Sequence, residues 1–160
     1  TSTGEEAYSM AMTVKEALRG TGNVRILATD LSTRVLKIAR AGEYEARHIE
    51  AVPKGLVSKY LHRRREDVAA CYAVADGIRS MVRFARLNLS QPPFPMKGPF
   101  DVVFCRNVMI YFDNEIRRKL LAELYRLIRP GGLLMVGHAE SLSGMISSFR
   151  NVEPSVFVKP

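Results

Sequence analysis

The chain alternates short runs of β-branched and other apolar residues with longer segments in which apolar residues recur every three or four positions. Short apolar runs are typical of buried strands, and the longer period is typical of helices that bury one face. The alternation of the two patterns predicts βα units and an α/β fold with a mostly parallel, doubly wound sheet. No internal repeat or low-complexity stretch interrupts it.

The first half predicts two helices around one strand, followed by a less regular stretch. The predicted elements are a helix over 5–20, a strand over about 24–29 that ends at Asp30, and a helix from Ser32 or Thr33 to about Arg40. Residues 43–81 mix a short helix around 54–62 with one or two strands near 70–76. We interpret this stretch as a small inserted subdomain.

The second half predicts four strands and one helix, arranged around a proline-rich connector. The predicted elements are strands over 81–89, 100–106, 133–140 and 155–159, and a helix over about 114–128 that Asp113 caps and 130–132 (Pro-Gly-Gly) stops. The run FDVVFC is almost continuously apolar, so we expect a central strand buried on both faces. The connector QPPFPMKGP is too rich in proline for regular structure.

The order of these elements departs from a complete doubly wound sheet in one respect. Such a sheet normally begins with a strand that feeds the first helix. Here the helix over 5–20 comes first, preceded only by a glycine-containing turn. We therefore expect residues upstream of Thr1 to supply the first strand.

Composition and charge narrow the classes of function. With 47% apolar residues the chain should fold, and its net charge of +8 permits an acidic partner, nucleic acid or an anionic surface. Arg63, Arg64 and Arg65 form either a solvated loop or a docking site for something acidic, and the lack of interleaved aromatic residues argues against single-stranded nucleic acid. The absence of a long apolar run or a signal peptide predicts a cytoplasmic protein without membrane insertion.

The two cysteines and His138 indicate neither a metal site nor a catalytic group. Cys71 and Cys105 match no metal-ligand spacing, so no metal site is predicted. Cys105 lies within an apolar run and is expected to be a buried, reduced thiol. We interpret His138 as a buried, hydrogen-bonded histidine without a catalytic role.

Candidate ligand-binding residues follow from the rule that doubly wound sheets bind ligands at the carboxyl ends of their strands. Asp30 lies 26 residues beyond Gly4, a position suited to accept hydrogen bonds from ribose hydroxyls. Glu5 and Glu6 at a helix start would repel phosphate, although they could simply complement the helix dipole. A nucleoside ligand with an ammonium group and no phosphate fits better, and S-adenosylmethionine has that chemistry.

Two segments resemble a known family closely. STGEEAYSMAM (2–12) resembles the STGEEPYSIAM segment of the CheR family of chemotaxis methyltransferases, and FDVVFCRNVMIYFD (100–113) resembles that family's FDxIFCRNVxIYFD segment. LNL at 87–89, RPGGLLMVGHAES at 129–141 and the closing strand resemble the family in the same order, and the resemblance is weakest over 43–80. Ala7 stands where proline is usual, which affects only the rigidity of the first helical turn.

The resemblance implies a Rossmann-like methyltransferase domain over 1–160 and a role for individual residues. The implied cofactor contacts are Glu6 to the amino group, Asp30 to the ribose, Asn88 and Leu89 along the adenine, and Arg106 and Asn107 from the strand end. Tyr111 is implied to face the transferred methyl group. From the residues alone, Tyr111 could merely pack the following helix onto the core, and Asn88 could be a turn residue.

The resemblance also implies a reaction and its partners. Family members transfer a methyl group from S-adenosylmethionine to glutamate carboxylates on the cytoplasmic helices of chemoreceptors, releasing S-adenosylhomocysteine. A helical N-terminal domain supplies further contacts in the family and is absent from this sequence, so the stretch alone is expected to have reduced or no activity. We expect a monomer that docks without a receptor peptide, because 62–80 lacks the glycine-rich loop of the peptide-binding mode. The alternatives are a non-enzymatic cofactor-binding module and a methyltransferase for another substrate.

Overall fold

A computed structural model describes residues 1–64, 70–138, 140 and 148–160 of the chain. These residues form two compact units, Thr1–Leu87 and Asn88–Pro160. Arg65, one of the three clustered arginines, lies outside the described residues. None of the described helices is long and apolar enough to cross a membrane.

The described residues of the first unit form five helices and five strands. The helices are α1 (Glu5–Ala17), α2 (Thr33–Ala41), α3 (Ala46–Ile49), α4 (Lys54–Tyr60) and α5 (Asp76–Arg79). The strands are β1 (Ile26–Asp30), β2 (Glu43–Glu45), β3 (Leu61–Arg64), β4 (Cys71–Val74) and β5 (Val82–Arg86). β1 and β5 pair in parallel, with Ile26 opposite Val82 and Asp30 opposite Arg86. β2, β4 and β3 form a separate antiparallel sheet in that order.

Aromatic packing joins α1 to both sheets of this unit. The Tyr8 ring on α1 meets Phe84 of β5 and Tyr44 of β2 edge to face, at centroid distances of 5.5 and 6.2 Å. The Tyr8 hydroxyl donates a 2.8 Å hydrogen bond to the carbonyl of Ala39 on α2. Burying aromatic rings with their polar ends satisfied stabilises the unit and fixes where α1 begins.

In the second unit, the part that the structure describes forms one sheet and one long helix. Its elements are β6 (Phe100–Cys105), a 3₁₀ turn (Met109–Tyr111), α6 (Asn114–Leu127), β7 (Ile128–Val136), β8 (Arg150–Glu153) and β9 (Val156–Val158). The sheet order is β6-β7-β9-β8, with β6 and β7 parallel and the other pairs antiparallel. α6 buries four leucines and one carboxylate, which are Leu120, Leu121, Leu124, Leu127 and Glu123.

The predicted α/β class is confirmed, and so are two predicted helix starts. The Ser32 hydroxyl accepts a hydrogen bond from the N–H of Val35 at 3.5 Å, and Asp113 Oδ1 accepts one from the N–H of Ile116 at 2.8 Å. Each side chain thereby satisfies an amide at the open end of its helix. The connector 91–99 contains no helix or strand, as predicted.

One predicted helix end and one predicted stop signal need correction. α1 ends at Ala17, because Arg19 and Gly20 adopt left-handed conformations and the N–H of Gly20 bonds back to the carbonyl of Lys15 at 3.0 Å. α6 ends at Leu127, close to the predicted end, but 130–132 (Pro-Gly-Gly) belong to β7, which already begins at Ile128. Gly131 and Gly132 instead exchange backbone hydrogen bonds of 2.8 and 2.9 Å with Lys159.

The prediction that the FDVVFC strand is buried on both faces is wrong for this structure. Val102 is 42% exposed and Phe104 is 40% exposed, and both lie on the same side of β6. α6 packs against β7, the neighbour of β6 in the sheet. The apolar run therefore identified the strand correctly and its environment incorrectly.

Candidate functional site

The start of α1 depends on a glycine at position 4. Gly4 has a φ of +98° and is buried, and a Cβ placed on it would lie 2.9 Å from the Cβ of Ala39 and 3.0 Å from the Tyr44 hydroxyl oxygen. Only glycine combines this backbone conformation with so close an approach. The N-terminal end of α1 therefore sits directly against α2.

Asp30, at the carboxyl end of β1, lies beside the segment that leads into α1. Its two carboxylate oxygens accept hydrogen bonds from the N–H groups of Ser2 at 2.8 Å and Ser32 at 2.9 Å. Partial burial raises the pKa of Asp30, but the hydrogen bonds from Ser32 and Ser2, together with the α-amino group of Thr1 at 3.3 Å, bring the pKa below its usual value. The carboxylate is therefore ionised at neutral pH, held in one orientation and 24% exposed.

The two glutamates of the first turn of α1 have different surroundings. Glu5 accepts hydrogen bonds from the Thr3 hydroxyl at 2.7 and 2.8 Å, and one of its oxygens lies 3.2 Å from Nδ1 of His48. Burial raises the pKa of Glu5, whereas the bonds from Thr3 and its own backbone N–H, together with His48, bring the pKa below its ordinary value. Glu6 is half-buried in the same turn, four residues after Ser2.

Asn88 and Leu89 open the second unit and are both half-buried. The Asn88 side-chain oxygen accepts hydrogen bonds from the N–H and the hydroxyl of Ser90, at 3.1 and 2.8 Å. This is the turn role considered above for Asn88. Its predicted contact with adenine, and that of Leu89, stay predictions.

The loop after β6 carries the other three predicted residues, Arg106, Asn107 and Tyr111. Asn107 has a φ of +56°, a left-handed conformation that asparagine tolerates better than most residues. Met109 is buried, whereas Arg106 and Asn107 are exposed and Tyr111 is 77% exposed. The Tyr111 ring is therefore not packed into the core of the second unit. The structure thus groups Glu6 with Asp30 in one unit and these three residues on one loop of the other.

Sequence inspection missed Glu140, which holds this loop. Glu140 is 7% exposed. Its Oε1 accepts hydrogen bonds from the N–H groups of Val108 and Met109 at 2.9 and 2.8 Å, and its Oε2 accepts from Asn107 and Gly137 at 3.0 and 2.7 Å. The available signal was an acidic residue placed directly after an apolar strand, in VGHAE.

Two other side chains near the strand ends have distinct environments. Cys105 is buried, as predicted, and burial together with the charge of Glu140 raises the pKa of its thiol to about 12. His138 is exposed, with Nδ1 3.4 Å from the Ser155 hydroxyl, so its predicted burial is wrong. In the described parts of the chain, no group of three or more His, Cys, Asp or Glu side chains is arranged to hold a metal ion.

Residues 1–158 match the sequence model of the family described as CheR methyltransferase, SAM binding domain. A chemotaxis protein methyltransferase 2 of Pseudomonas aeruginosa is 38% identical over 157 residues, covering 98% of this chain and 56% of that protein. The chemotaxis protein methyltransferases of Salmonella typhimurium and Escherichia coli are 36% and 38% identical, each covering 92% of this chain and 52% of the relative. The chain thus spans about half the length of these curated relatives.

Proposed function

Since the chain belongs to the CheR methyltransferase family of SAM-binding domains, we propose that the protein carrying it methylates glutamate side chains of chemoreceptors, using S-adenosylmethionine as the donor. The observation that carries the proposal is the family match across nearly the whole chain, which includes Glu6, Asp30, Asn107 and Tyr111. The named relatives are chemotaxis methyltransferases from three bacteria.

The donor chemistry of the first unit fits this cofactor. Asp30 presents an ionised carboxylate that accepts from two backbone N–H groups and from the α-amino group of Thr1, which leaves acceptor capacity for ribose hydroxyls. Glu6 provides a second carboxylate in the adjoining first turn, where an ammonium group is favoured. Phosphate is disfavoured there, because Glu5 and Glu6 place negative charge at the helix start.

We assign the candidate residues of the second unit to orienting the cofactor and the reacting groups. When bound, S-adenosylmethionine supplies a methyl group on a positively charged sulfur, which an ionised glutamate carboxylate accepts as a methyl ester. Glutamate has an ordinary pKa of about 4.3, so no general base is needed at neutral pH. Asn107 and Arg106 are proposed to contact the cofactor, and the exposed Tyr111 hydroxyl to align the reacting groups. Asn88 and Leu89 are proposed to line the adenine.

The proposed substrate is the glutamate-bearing cytoplasmic helices of a chemoreceptor. The net charge of +8 suits an acidic protein surface. Arg63 and Arg64 are both exposed, and Arg64 forms a 2.6 Å ion pair with Glu43. That pairing favours a structural role for Arg64 over a free docking charge. We propose docking that requires no receptor peptide, by a monomer located in the cytoplasm.

Radiolabelled methyl transfer tests the proposal directly. The chain, with any sequence that flanks it in its gene, is incubated with tritiated S-adenosylmethionine and separate pools of receptor fragment, RNA and small molecules. We expect alkali-labile label in the receptor fragment alone, and none when the methylated glutamates are changed to alanine. Label in RNA or small molecules would indicate a methyltransferase for another substrate. Binding of S-adenosylhomocysteine without any transfer would indicate a non-enzymatic module.

A further inference from the structure

Glu140 contacts the loop between β6 and α6 at three consecutive backbone amides. The N–H groups of Asn107, Val108 and Met109 all point to its carboxylate, at 2.8 to 3.0 Å. A fourth N–H, from Gly137 at the end of β7, donates to the same carboxylate at 2.7 Å. One side chain thus connects the ends of two parallel strands.

The buried environment of Glu140 makes these hydrogen bonds necessary. Glu140 is buried, and a buried carboxylate is tolerated only when its oxygens are well satisfied. Charge-assisted hydrogen bonds are about twice as strong as neutral ones, so four of them restrain the loop firmly. They also support the left-handed backbone of Asn107, which few residues adopt without such support.

Gly137 provides the room that the carboxylate occupies. A Cβ at position 137 would lie 2.8 Å from Oε2 of Glu140 and 3.2 Å from the backbone nitrogen of Asn107. Neither atom can move away without breaking a hydrogen bond to the same carboxylate. A small residue at 137 is therefore part of the arrangement.

We propose that Glu140 is the positioning residue of this protein, fixing the loop so that Asn107 and Tyr111 are presented in one geometry. Glu140 acts through backbone amides and touches neither substrate nor cofactor. The inference rests on the proposed function, because it assigns the fixed loop to methyl transfer.

Glu140→Gln is the direct test. Two N–H groups point to each carboxylate oxygen, so the amide nitrogen of glutamine faces two donors whichever oxygen it replaces. Hydrogen exchange should accelerate at the amides of 107–109 by about ten-fold or more. Turnover should fall by about 100-fold at a temperature where the variant is fully folded, since misplacement by about 1 Å has that effect.

A double-mutant cycle separates positioning from stability. If Glu140 acts by placing Tyr111, the loss of kcat in Glu140→Gln should be much smaller in a Tyr111→Phe background. Gly137→Ala should also accelerate amide exchange at 107–109, because its added methyl group crowds the same carboxylate. This variant replaces Glu140→Gln in the test if Glu140→Gln does not fold. The matched control is Glu123→Gln, which changes an equally buried carboxylate of the same unit away from this loop.

The outcomes are distinguishable. The inference would be overturned if the amides of 107–109 exchanged no faster in Glu140→Gln than in the Glu123→Gln control. It would also be overturned if Glu140→Gln lowered kcat by the same factor in the Tyr111→Phe background as in the wild type. A wild-type protein that methylates no receptor would overturn the proposed function and the catalytic half of this inference. Hydrogen exchange would then still decide whether Glu140 holds the loop.

Discussion

The backbone N–H of Ser2 donates a 2.8 Å hydrogen bond to Oδ2 of Asp30, across 28 residues of sequence. It ties the residues before α1 to the carboxyl end of β1. The two acidic positions predicted from sequence to bind one ligand, Glu6 and Asp30, thus belong to adjoining segments of the same unit.

Asp30→Asn should weaken binding of S-adenosylhomocysteine by about ten- to hundred-fold, because hydrogen bonds to a charged acceptor are lost. Isothermal titration measures the effect. The lowered pKa of Asp30 adds a pH prediction, since the carboxylate stays charged above its unfolded value of about 3.9. Between about pH 5 and pH 8, well above that value, titration of Asp30 should therefore not change the affinity of the wild-type protein. An unchanged affinity in the variant would refute the ribose contact.

Tyr111→Phe should slow turnover by about ten-fold or more while leaving cofactor affinity within a few-fold, because only an aligning hydroxyl is removed. Single-turnover kinetics and titration of S-adenosylhomocysteine measure the two quantities. Tyr125→Phe, on α6 of the same unit, is the control and should leave both unchanged. Equal losses of turnover and affinity in Tyr111→Phe would argue against an aligning role.

Gly4→Ala should destabilise the protein by about 3 kcal/mol, since it combines a positive φ with overpacking against Ala39 and Tyr44. Gly20→Ala separates the two effects. Gly20 also has a positive φ, of +75°, but nothing lies within 4 Å of its added Cβ, so about 1 kcal/mol is expected. Urea denaturation compares the variants, and equal losses would show that packing at Gly4 is unimportant.

Glu123→Gln should cost about 1–3 kcal/mol at pH 7, because Glu123 is buried and accepts bonds from Arg126 and the N–H of Phe94. The bond from Arg126 is the main cause that lowers the pKa of Glu123. The charge of Glu123 therefore stabilises the fold above its unfolded pKa of about 4.3, and that contribution is lost as the pH falls through the folded value.

The difference in unfolding free energy between wild type and Glu123→Gln should accordingly shrink below pH 4.3, the reference value for glutamate. Urea denaturation at several pH values follows this difference. Glu115→Gln is the control, because Glu115 is exposed in its 2.6 Å pair with Lys119 and should matter little at any pH. A difference that stays constant with pH would contradict the assigned charge effect.

Local sequence signals predicted the long elements and their capped starts. Ser32 and Asp113 sit where a side chain caps a helix, and both do so. β2 and β3 were not predicted individually, because strands of three and four residues carry too little periodicity and owe their pairing to β4, up to 30 residues away. The exposure of Phe104 also escaped prediction, since an apolar run does not indicate which of its faces is covered.

The residues of the candidate site also differ in whether a local sequence signal points to them. Asp30 and Tyr111 could be selected as candidates, because Asp30 has a residue type suited to ribose at a strand end and Tyr111 lies in a family segment. Glu140 was not found, because its partners are backbone amides 31 to 33 residues earlier, and a backbone N–H has no sequence signature. The left-handed conformation of Asn107 is invisible in sequence for the same reason.

Because the two cysteines differ in exposure, the rate of thiol labelling can report a local opening of the protein. Cys71 is half-exposed, whereas Cys105 is buried at the end of β6 and almost wholly protonated, since its pKa is raised to about 12. A thiol reagent should modify Cys71 quickly and Cys105 only when β6 opens. The slow phase of labelling therefore times the opening of the strand immediately before Asn107, without introducing any probe.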